Sequence, residues 1–222
     1  MIMFLLLCAA SVFSSDVTWD KYKTETLTKQ NSIPGWCCRE KAEKMMDLIH
    51  AIHPTVCVEI GVFGGSSIYP TASALKYEKA GKIYAIDPWA KEECTKGYVA
   101  EDPNYEWWSK VNLEKVFCEF KKMLESNHLT PYCAIMRMTS VKALSSFQDG
   151  SIDILHIDGN HSEDVAFADI EMFLPKVKSG GYIWFDDVDW VSTNKAVQYL
   201  SKHADVVNER SIKNACLLFK KR

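Results

Sequence analysis

One stretch near residue 60 constrains the fold of this chain more than any other. Residues 55–67 read TVCVEIGVFGGSS, in which a β-branched run leads into Glu59 and glycines follow at Gly61, Gly64 and Gly65. The segment after these glycines is rich in small residues and has the pattern of a helix. A strand, a glycine-rich turn and a helix are the opening of a nucleotide-binding α/β unit, because glycine lets a ligand approach the backbone and the helix N-terminus attracts negative charge.

The spacing of the glycines narrows the class of ligand. Dinucleotide-binding enzymes carry GxGxxG, and phosphate-binding loops carry GxxxxGK[ST]. This chain has Glu-x-Gly-x-x-Gly-Gly without a lysine and matches neither pattern. An acid two residues before the first glycine suits a ligand with an amino-acid end better than a pyrophosphate. An ordinary turn between a strand and a helix is the alternative that this stretch alone leaves open.

Length, composition and charge exclude several classes of protein. The chain has 222 residues, of which 47% are hydrophobic and 25% are charged, and this suits one domain with a sizeable core. The net charge of −3 gives no sign of a surface that binds nucleic acid. The eight cysteines include no CxxC pair, so we expect neither a disulfide framework nor a zinc site.

The N-terminal residues are ambiguous. The first thirteen residues are apolar or small and resemble the central region of a secretory signal, but they lack a basic start and are too short to span a bilayer. We expect residues 1–35 to be an N-terminal lead-in, partly ordered over 16–35, and residues 36–222 to be one domain. We expect the protein to be a cytoplasmic enzyme. The alternative is that residues 1–15 act as a signal and the protein is exported.

Strand and helix patterns alternate along the rest of the chain. Parallel strands are predicted at 55–58, 83–86, 133–136, 152–157 and 182–185. Helices are predicted at 36–50, 66–79, 107–124, 141–147, 165–177 and 193–203, with Ser179 to Gly181 capping the fifth. Late strands at 204–207 and 215–219 complete the pattern. We predict an α/β fold, a doubly wound and mostly parallel seven-stranded Rossmann-like sheet with an antiparallel C-terminal edge hairpin.

Acidic residues follow three of the predicted strands: Asp87, Asp158 and the pair Asp186 and Asp187. Ligands of open α/β sheets bind at the carboxyl ends of the strands, where an acid after the second strand bonds ribose hydroxyls. If the fourth and fifth strands are neighbours, Asp158 can share a cation with Asp186 or Asp187, and carboxylates are typical ligands of Mg²⁺. For Asp158, which precedes a glycine, a simple turn is the alternative.

A bound Mg²⁺ would lower the pKa of a substrate hydroxyl and make it a nucleophile. His161 is the best candidate for the base because its ordinary pKa lies near the operating pH, and Asp158 is the second catalytic candidate. His156 lies within the fourth strand and is expected to be a satisfied core histidine. The aromatic-rich segment 90–108 is expected either to cover a substrate as a lid or only to anchor a helix to the core.

Three segments together carry a family resemblance: VEIGVFGGSS, GKIYAIDPW and SIDILHIDGNHSEDVAFADIEMFLPKVKSGGYIWFDD. Over about residues 54–187 the chain resembles class I methyltransferases that depend on S-adenosylmethionine (SAM), in particular the branch with metal-dependent O-methyltransferases of sugars and phenols. The resemblance implies cofactor-binding residues, namely Glu59, Gly61 and Gly64 in the glycine turn, Asp87 at the ribose and Ser140 near the adenine. It also implies metal ligands, namely Asp158, Asp186 and Asp187.

The chain departs from that branch at Asn160. Some metal-dependent relatives carry Asp-Gly-Asp where this chain has Asp-Gly-Asn, and they use the second acid as base. Either His161 takes that role, or the metal chemistry is altered or absent. We therefore expect a SAM-dependent O-methyltransferase of a small hydroxylated acceptor, assisted by Mg²⁺.

Two other function classes stay open from the sequence. A binding protein on a degenerate methyltransferase scaffold is the alternative, and a nicotinamide-dependent oxidoreductase is disfavoured because GxGxxG is missing. Residues 90–108 and the loops after Asp187 are expected to form the acceptor pocket. Neither nucleic acid nor a stable membrane span is expected, and a homo-oligomer is left open.

Overall fold

The computed structural model describes residues 17–207 and 216–222. The helices are α1 (Trp19–Gln30), α2 (Arg39–Ile52), α3 (Ile68–Glu78), α4 (Lys91–Cys94), α5 (Pro103–Lys110), α6 (Leu113–Ser126), α7 (Ser140–Ala143), α8 (Glu163–Phe173) and α9 (Asn194–Ser201). The strands are β1 (Val56–Ile60), β2 (Lys82–Ile86), β3 (Cys133–Met136), β4 (Ile152–Ile157), β5 (Val177–Phe185), β6 (Ala204–Val206) and β7 (Leu217–Lys221). The signal-like segment at residues 1–15 lies outside the described residues.

Within the described residues the strands form one seven-stranded sheet in the order β3-β2-β1-β4-β5-β7-β6. Strands β1 to β5 run parallel, and β7 runs antiparallel to both β5 and β6. The predicted doubly wound sheet with its antiparallel edge hairpin is therefore confirmed. The chain order reverses between β1 and β4, so their carboxyl ends open the crevice in which such sheets bind ligands.

Two apolar layers cover the two faces of the sheet. Successive side chains of a strand point to opposite faces, so Cys57 of β1 belongs to one layer and Val58 to the other. The first layer includes Met46 of α2 and Phe120 of α6, and the second includes Ile170 of α8. This packing holds the carboxyl ends of β1, β2 and β4 in a fixed frame.

The segment expected as a partly ordered lead-in contains a helix, α1. Its buried side chains are few, with Leu27 as the large apolar one, so its periodicity is weak in the sequence. Specific contacts hold it instead: the Tyr22 hydroxyl donates to the Ser73 carbonyl at 2.9 Å, and the Trp19 ring stacks on His50 at 4.2 Å. The lead-in thus contains a helix that apolar periodicity does not indicate, because polar and aromatic contacts hold it in place of an apolar stripe.

Two further boundaries differ from the prediction. The helix predicted over 107–124 is two helices, because the first ends at Lys110 and Asn112 caps the second, accepting a hydrogen bond from the Lys115 N–H at 3.0 Å. Ser179 to Gly181 do not cap a helix but lie inside β5. The register of β5 against β4 shifts between Ile152 and Ile154, and Gly180 takes a positive φ of 77° there. Among the described helices, none has the length and apolarity that a membrane crossing requires.

Candidate active site

A cleft lies at the carboxyl ends of β1, β2 and β4. Five of the residues singled out from the sequence line it, namely Gly61, Asp87, Ser140, Asp158 and His161. Further lining residues come from the glycine turn, from the start of α7 and from α8, namely Val62, Phe63, Ser66, Ser67, Thr139, Val165 and Asp169. The structure thus brings together the glycine turn and two of the strand-ending acids that the sequence predicted would share one crevice.

The two glycines predicted to bind a cofactor have different roles in the turn. Gly61 has φ +85°, and a Cβ there would lie 2.1 Å from the carbonyl oxygen of Asp158. Glycine is therefore required for the loops after β1 and β4 to meet. A Cβ at Gly64 would lie 2.5 Å from the Pro34 carbonyl oxygen. Glycine at this position therefore lets the segment before α2 pack against the turn.

Asp87 fixes the glycine turn from the end of β2. Its Oδ2 accepts hydrogen bonds from the N–H groups of Val62 and Phe63, both at 3.0 Å, and its Oδ1 accepts one from the Trp89 N–H at 2.6 Å. Burial raises the pKa of this carboxyl, and the three backbone donors oppose that rise. A carboxylate oxygen has two lone pairs, so Oδ1 keeps one for a hydroxyl in the cleft.

Glu59 lies behind the cleft wall rather than on it. Its side chain is fully buried, and its Oε1 accepts a hydrogen bond from the Ser67 hydroxyl at 2.5 Å. Its Oε2 lies 2.9 Å from Nδ1 of His156. Ser67 does line the cleft, so the carboxylate of Glu59 is linked to the cleft through this hydroxyl. Ser67 was not singled out from the sequence, although it begins the helix that follows the glycine turn.

Asp169 is a cleft residue that the sequence analysis missed. It lies on α8, is 3% exposed, and its Oδ1 accepts a hydrogen bond from the Ser140 hydroxyl at 2.5 Å. Burial raises its pKa to about 6, against the hydrogen bond from Ser140. The signal was an acid on the apolar face of a helix, since Ala166, Ile170 and Phe173 of α8 are also buried. A charge in that position needs a partner or a ligand.

A buried charge cluster joins Lys41 to the acid that ends β5. The Lys41 ammonium lies 2.5 Å from Oδ2 of Asp186 and 3.8 Å from Oδ2 of Asp158. Burial favours the neutral lysine, but Asp186 outweighs it and raises the pKa of Lys41. Burial would also raise the pKa of Asp186, yet Lys41 and His156 hold it well below the usual range.

His156 is the buried histidine expected in β4. Its Nε2 lies 2.5 Å from Oδ2 of Asp186, and its Nδ1 faces Glu59. Burial and Lys41 both oppose its protonation, but Glu59 and Asp186 outweigh them and raise its pKa to about 9. His156 therefore adds a second positive charge beside Asp186.

His161 faces two acids at the cleft. Its Nε2 lies 2.7 Å from Oδ2 of Asp187 and 3.7 Å from Oδ1 of Asp158, and its backbone N–H donates to the Tyr98 hydroxyl at 2.9 Å. Burial opposes protonation of the ring, but Asp158 and Asp187 outweigh it and raise the pKa of His161 to about 10. The imidazole therefore carries two protons near neutral pH and becomes a base only in alkaline solution.

The predicted magnesium set of Asp158, Asp186 and Asp187 lies beside side-chain cations in the structure. Asp186 is engaged by the Lys41 ammonium and by His156, so a divalent cation between Asp158 and Asp186 would meet a buried positive charge. Among the described residues, two groups bring three ligand atoms together, and each includes a histidine, His156 in one and His161 in the other. Each group offers two carboxylates, but its third ligand is an imidazole, whereas Mg²⁺ prefers oxygen.

Asn160, the departure from the Asp-Gly-Asp pattern, has a structural role. Its Nδ2 lies within hydrogen-bond distance of the carbonyl oxygens of Glu93 (3.1 Å), Cys94 (3.3 Å) and Lys96 (2.9 Å). Its Oδ1 accepts a hydrogen bond from the Ser162 N–H at 2.8 Å. An aspartate could not donate to these carbonyls. The amide therefore ties the C-terminal end of α4 and the turn that follows it to the loop after β4.

Aromatic rings form one side of the cleft mouth. The Trp36 ring, 57% exposed, lies 5.0 Å from Phe63 and 5.3 Å from Trp107, and Trp107 lies 4.6 Å from Trp108. Trp36, Phe63 and Trp108 also line the cleft. Trp107 and Trp108 each lie 5.9 Å from Phe63 of the glycine turn, and this geometry favours the interpretation of segment 90–108 as a cover of the cleft over that of an anchor of the helix alone.

The sheet order and cleft are those of the class I methyltransferase fold. A methyltransferase from Podospora anserina with SAH bound superposes with a TM-score of 0.63 at 13% identity, covering 90% of this chain and 88% of that one. An O-methyltransferase from Bacillus cereus in complex with SAH has a TM-score of 0.61 at 14% identity, with 93% of each chain covered. At such identities the likeness shows the fold.

The family follows from the sequence match. The family model described as "Methyltransferase domain" matches residues 58–188, and the chain belongs to this family. The predicted class I SAM-dependent methyltransferase is thereby confirmed. The uncharacterized protein y4gI of Sinorhizobium fredii is 26% identical over 145 residues, which are 65% of this chain and 14% of that protein. The chain thus spans about one seventh of the length of this curated relative.

Proposed function

We propose that the protein transfers a methyl group from SAM to a hydroxyl oxygen of a small acceptor. The observation that carries this proposal is the single cleft onto which the glycine turn, the ribose-binding candidate Asp87 and the charged pair of Asp158 and His161 all open. The family membership supports the transfer of a methyl group. The O-methyltransferase from Bacillus cereus supports oxygen as the acceptor atom.

SAM would lie along the carboxyl ends of β1 and β2. Asp87 Oδ1 would accept from a ribose hydroxyl, and the pair of Ser140 and Asp169 would face the adenine. The Ser67 hydroxyl, held by Glu59, would meet the amino-acid end of the cofactor. Gly61 allows this approach by keeping the turn free of a side chain.

The acceptor would enter from the mouth formed by Trp36, Trp107 and Trp108, with its hydroxyl directed at His161. Its oxygen attacks the methyl carbon, the carbon–sulfur bond breaks with its electrons going to sulfur, and S-adenosylhomocysteine remains. The hydroxyl proton would pass to the unprotonated nitrogen of the neutral His161 ring, and Asp158 and Asp187, which face Nε2, stabilise the imidazolium that forms. Alignment of the two reacting atoms supplies much of the rate.

Calorimetric titration with SAM tests the cofactor site. We expect micromolar affinity, and we expect the exchange Asp87→Asn to weaken it by about tenfold, the value of one charge-assisted hydrogen bond. The control is Asp149→Asn, an acid that pairs with Lys176 and precedes the amino end of β4, away from the cleft at the carboxyl ends of the strands. Equal affinity in the Asp87 variant would refute the placement of the ribose.

The formation of S-adenosylhomocysteine over a panel of phenols, catechols and sugars tests the transfer. Turnover on a hydroxylated compound supports the O-methyltransferase. Tight SAM binding without turnover on any member of the panel would favour a binding protein on a methyltransferase scaffold. The cytoplasmic location, with export as the alternative, remains a prediction from the sequence, which also leaves a homo-oligomer open.

A further inference from the structure

Lys41 occupies a place that is unfavourable for a lysine on two counts. Its side chain is 1% exposed, and lysine is almost never buried without a partner. It also lies in the first turn of α2, where the helix dipole disfavours positive charge. Something near it must compensate for both costs.

The compensation comes from the two acids that end neighbouring strands. The ammonium lies 2.5 Å from Asp186 Oδ2 and 3.8 Å from Asp158 Oδ2. Strands β4 and β5 are hydrogen-bonded neighbours, so these carboxylates necessarily approach each other and would repel without a cation between them. The sequence predicted Mg²⁺ for this position.

We propose that Lys41 is the resident cation of this acid pair and takes the place of a divalent metal ion in the transferase. It is a positioning residue, because it holds Asp158 in the cleft wall from behind and is itself buried. Asp158 has its second oxygen directed at His161, 3.7 Å from Nε2. Lys41 thereby sets where the base and its partner acid stand.

This inference rests on the proposed function for its consequence. An ammonium carries one charge and three donors and cannot coordinate two substrate oxygens as a metal ion does. The acceptor therefore needs a single hydroxyl near His161 rather than two adjacent oxygens that chelate a metal. Simple phenols and alcohols should serve as well as catechols.

Titration of the full-length protein with Mn²⁺, read from the EPR signal of the free ion, tests the proposal. We expect the wild type to leave Mn²⁺ free to about millimolar concentration, and SAM affinity to be equal within about twofold in Mg²⁺ and in EDTA. The exchange Lys41→Met removes the charge at similar length, and we expect it to tighten Mn²⁺ binding by at least about tenfold. The double variant Lys41→Met with Asp186→Asn should lose this gain.

The matched control is Lys44→Met on the same helix, whose ammonium is exposed and pairs with Glu40 at 3.1 Å. It should leave Mn²⁺ binding unchanged. Micromolar Mn²⁺ binding by the wild type that disappears in Asp186→Asn would overturn the proposal, and so would a folded Lys41→Met variant without added affinity. If that variant does not fold, the wild-type titration decides alone. SAM affinity in the same samples reports separately on the proposed function.

Discussion

The pKa of His161 is the property of the site that a single substitution tests most directly. The ring is 20% exposed and lies 2.7 Å from Asp187 and 3.7 Å from Asp158, whose combined effect outweighs burial and raises its pKa to about 10. The substitution Asp187→Asn keeps the shape of the neighbour and removes its charge. We expect the pKa of His161 to fall by about 1–3 units, the usual effect of one adjacent opposite charge.

The magnitude for the wild type follows from the shift itself. The change from 6.5 to about 10 is 3.5 units, and at 1.36 kcal/mol per unit it corresponds to at most about 5 kcal/mol, shared by the two acids. Because the folded pKa is raised, this stabilisation is fully present below pH 6.5 and is lost as the pH rises to about 10. His156, with a pKa of about 9, contributes in the same direction, so stability should decline in alkali.

The assay is an NMR titration of histidine ring signals between pH 5 and 11, with His161 assigned by its absence in His161→Gln. Methyl transfer, once an acceptor is found, should rise with pH through the same titration, and its midpoint should move to lower pH in Asp187→Asn. Asp189→Asn, an exchange two residues further along the same loop, is the control. Titration of His161 near its ordinary value in the wild type would refute the reasoning.

Three other substitutions have expected outcomes. Asn160→Asp replaces the amide that donates to the carbonyls of Glu93, Cys94 and Lys96 by a carboxylate. We expect the free energy of unfolding, measured by thermal unfolding, to fall by about 1–3 kcal/mol and residues 93–96 to be cleaved faster by a protease. Unchanged stability would contradict this role. Gly61→Ala places a Cβ 2.1 Å from the Asp158 carbonyl oxygen at a positive φ, so we expect it to lower the free energy of unfolding by more than about 1 kcal/mol. Gly150→Ala is the control, because its Cβ would meet nothing within 4 Å and the exchange measures the cost of a positive φ alone. Equal losses of stability for the two variants in urea unfolding would refute the contact at Gly61. Asp169→Asn should weaken SAM binding about tenfold in calorimetry and leave the His161 titration in place, and an unchanged affinity would remove Asp169 from the cofactor site.

Much of the fold could be predicted because local signals agree with the global arrangement. The glycine turn at Gly61 and the acids Asp87 and Asp158 each follow the end of a continuous apolar run. The hydrophobic pattern and the turn residues therefore indicate the same strand ends. Ser179 to Gly181 were predicted as a helix cap because glycine commonly ends helices, whereas here these residues lie in a strand whose register against its neighbour shifts. That shift depends on the partner strand β4, which local sequence does not show.

Lys41 shows the limit of such reasoning at the site. Four of its neighbours in α2, Arg39, Glu40, Glu43 and Lys44, are charged, so a lysine among them indicates the solvent-facing side. It is buried only because Asp186, 145 positions later, ends a strand under the start of this helix. Asp169 could have been found, since an acid among buried apolar residues of α8 is visible in the sequence.

The amide at Asn160 and the buried ammonium of Lys41 both affect the net charge of the acidic cluster at the cleft. Four carboxylates, Glu59, Asp158, Asp186 and Asp187, face the ammonium of Lys41 and the raised-pKa imidazoles of His156 and His161. With both rings protonated, three positive charges face the four carboxylates, so the cluster is close to neutral without a divalent ion. An aspartate at position 160 would add an acid beside backbone carbonyls, where the amide now donates. The positive charges that balance these carboxylates are therefore side chains of the protein itself. We expect the rate of methyl transfer to follow the protonation of His161 rather than the supply of metal ions.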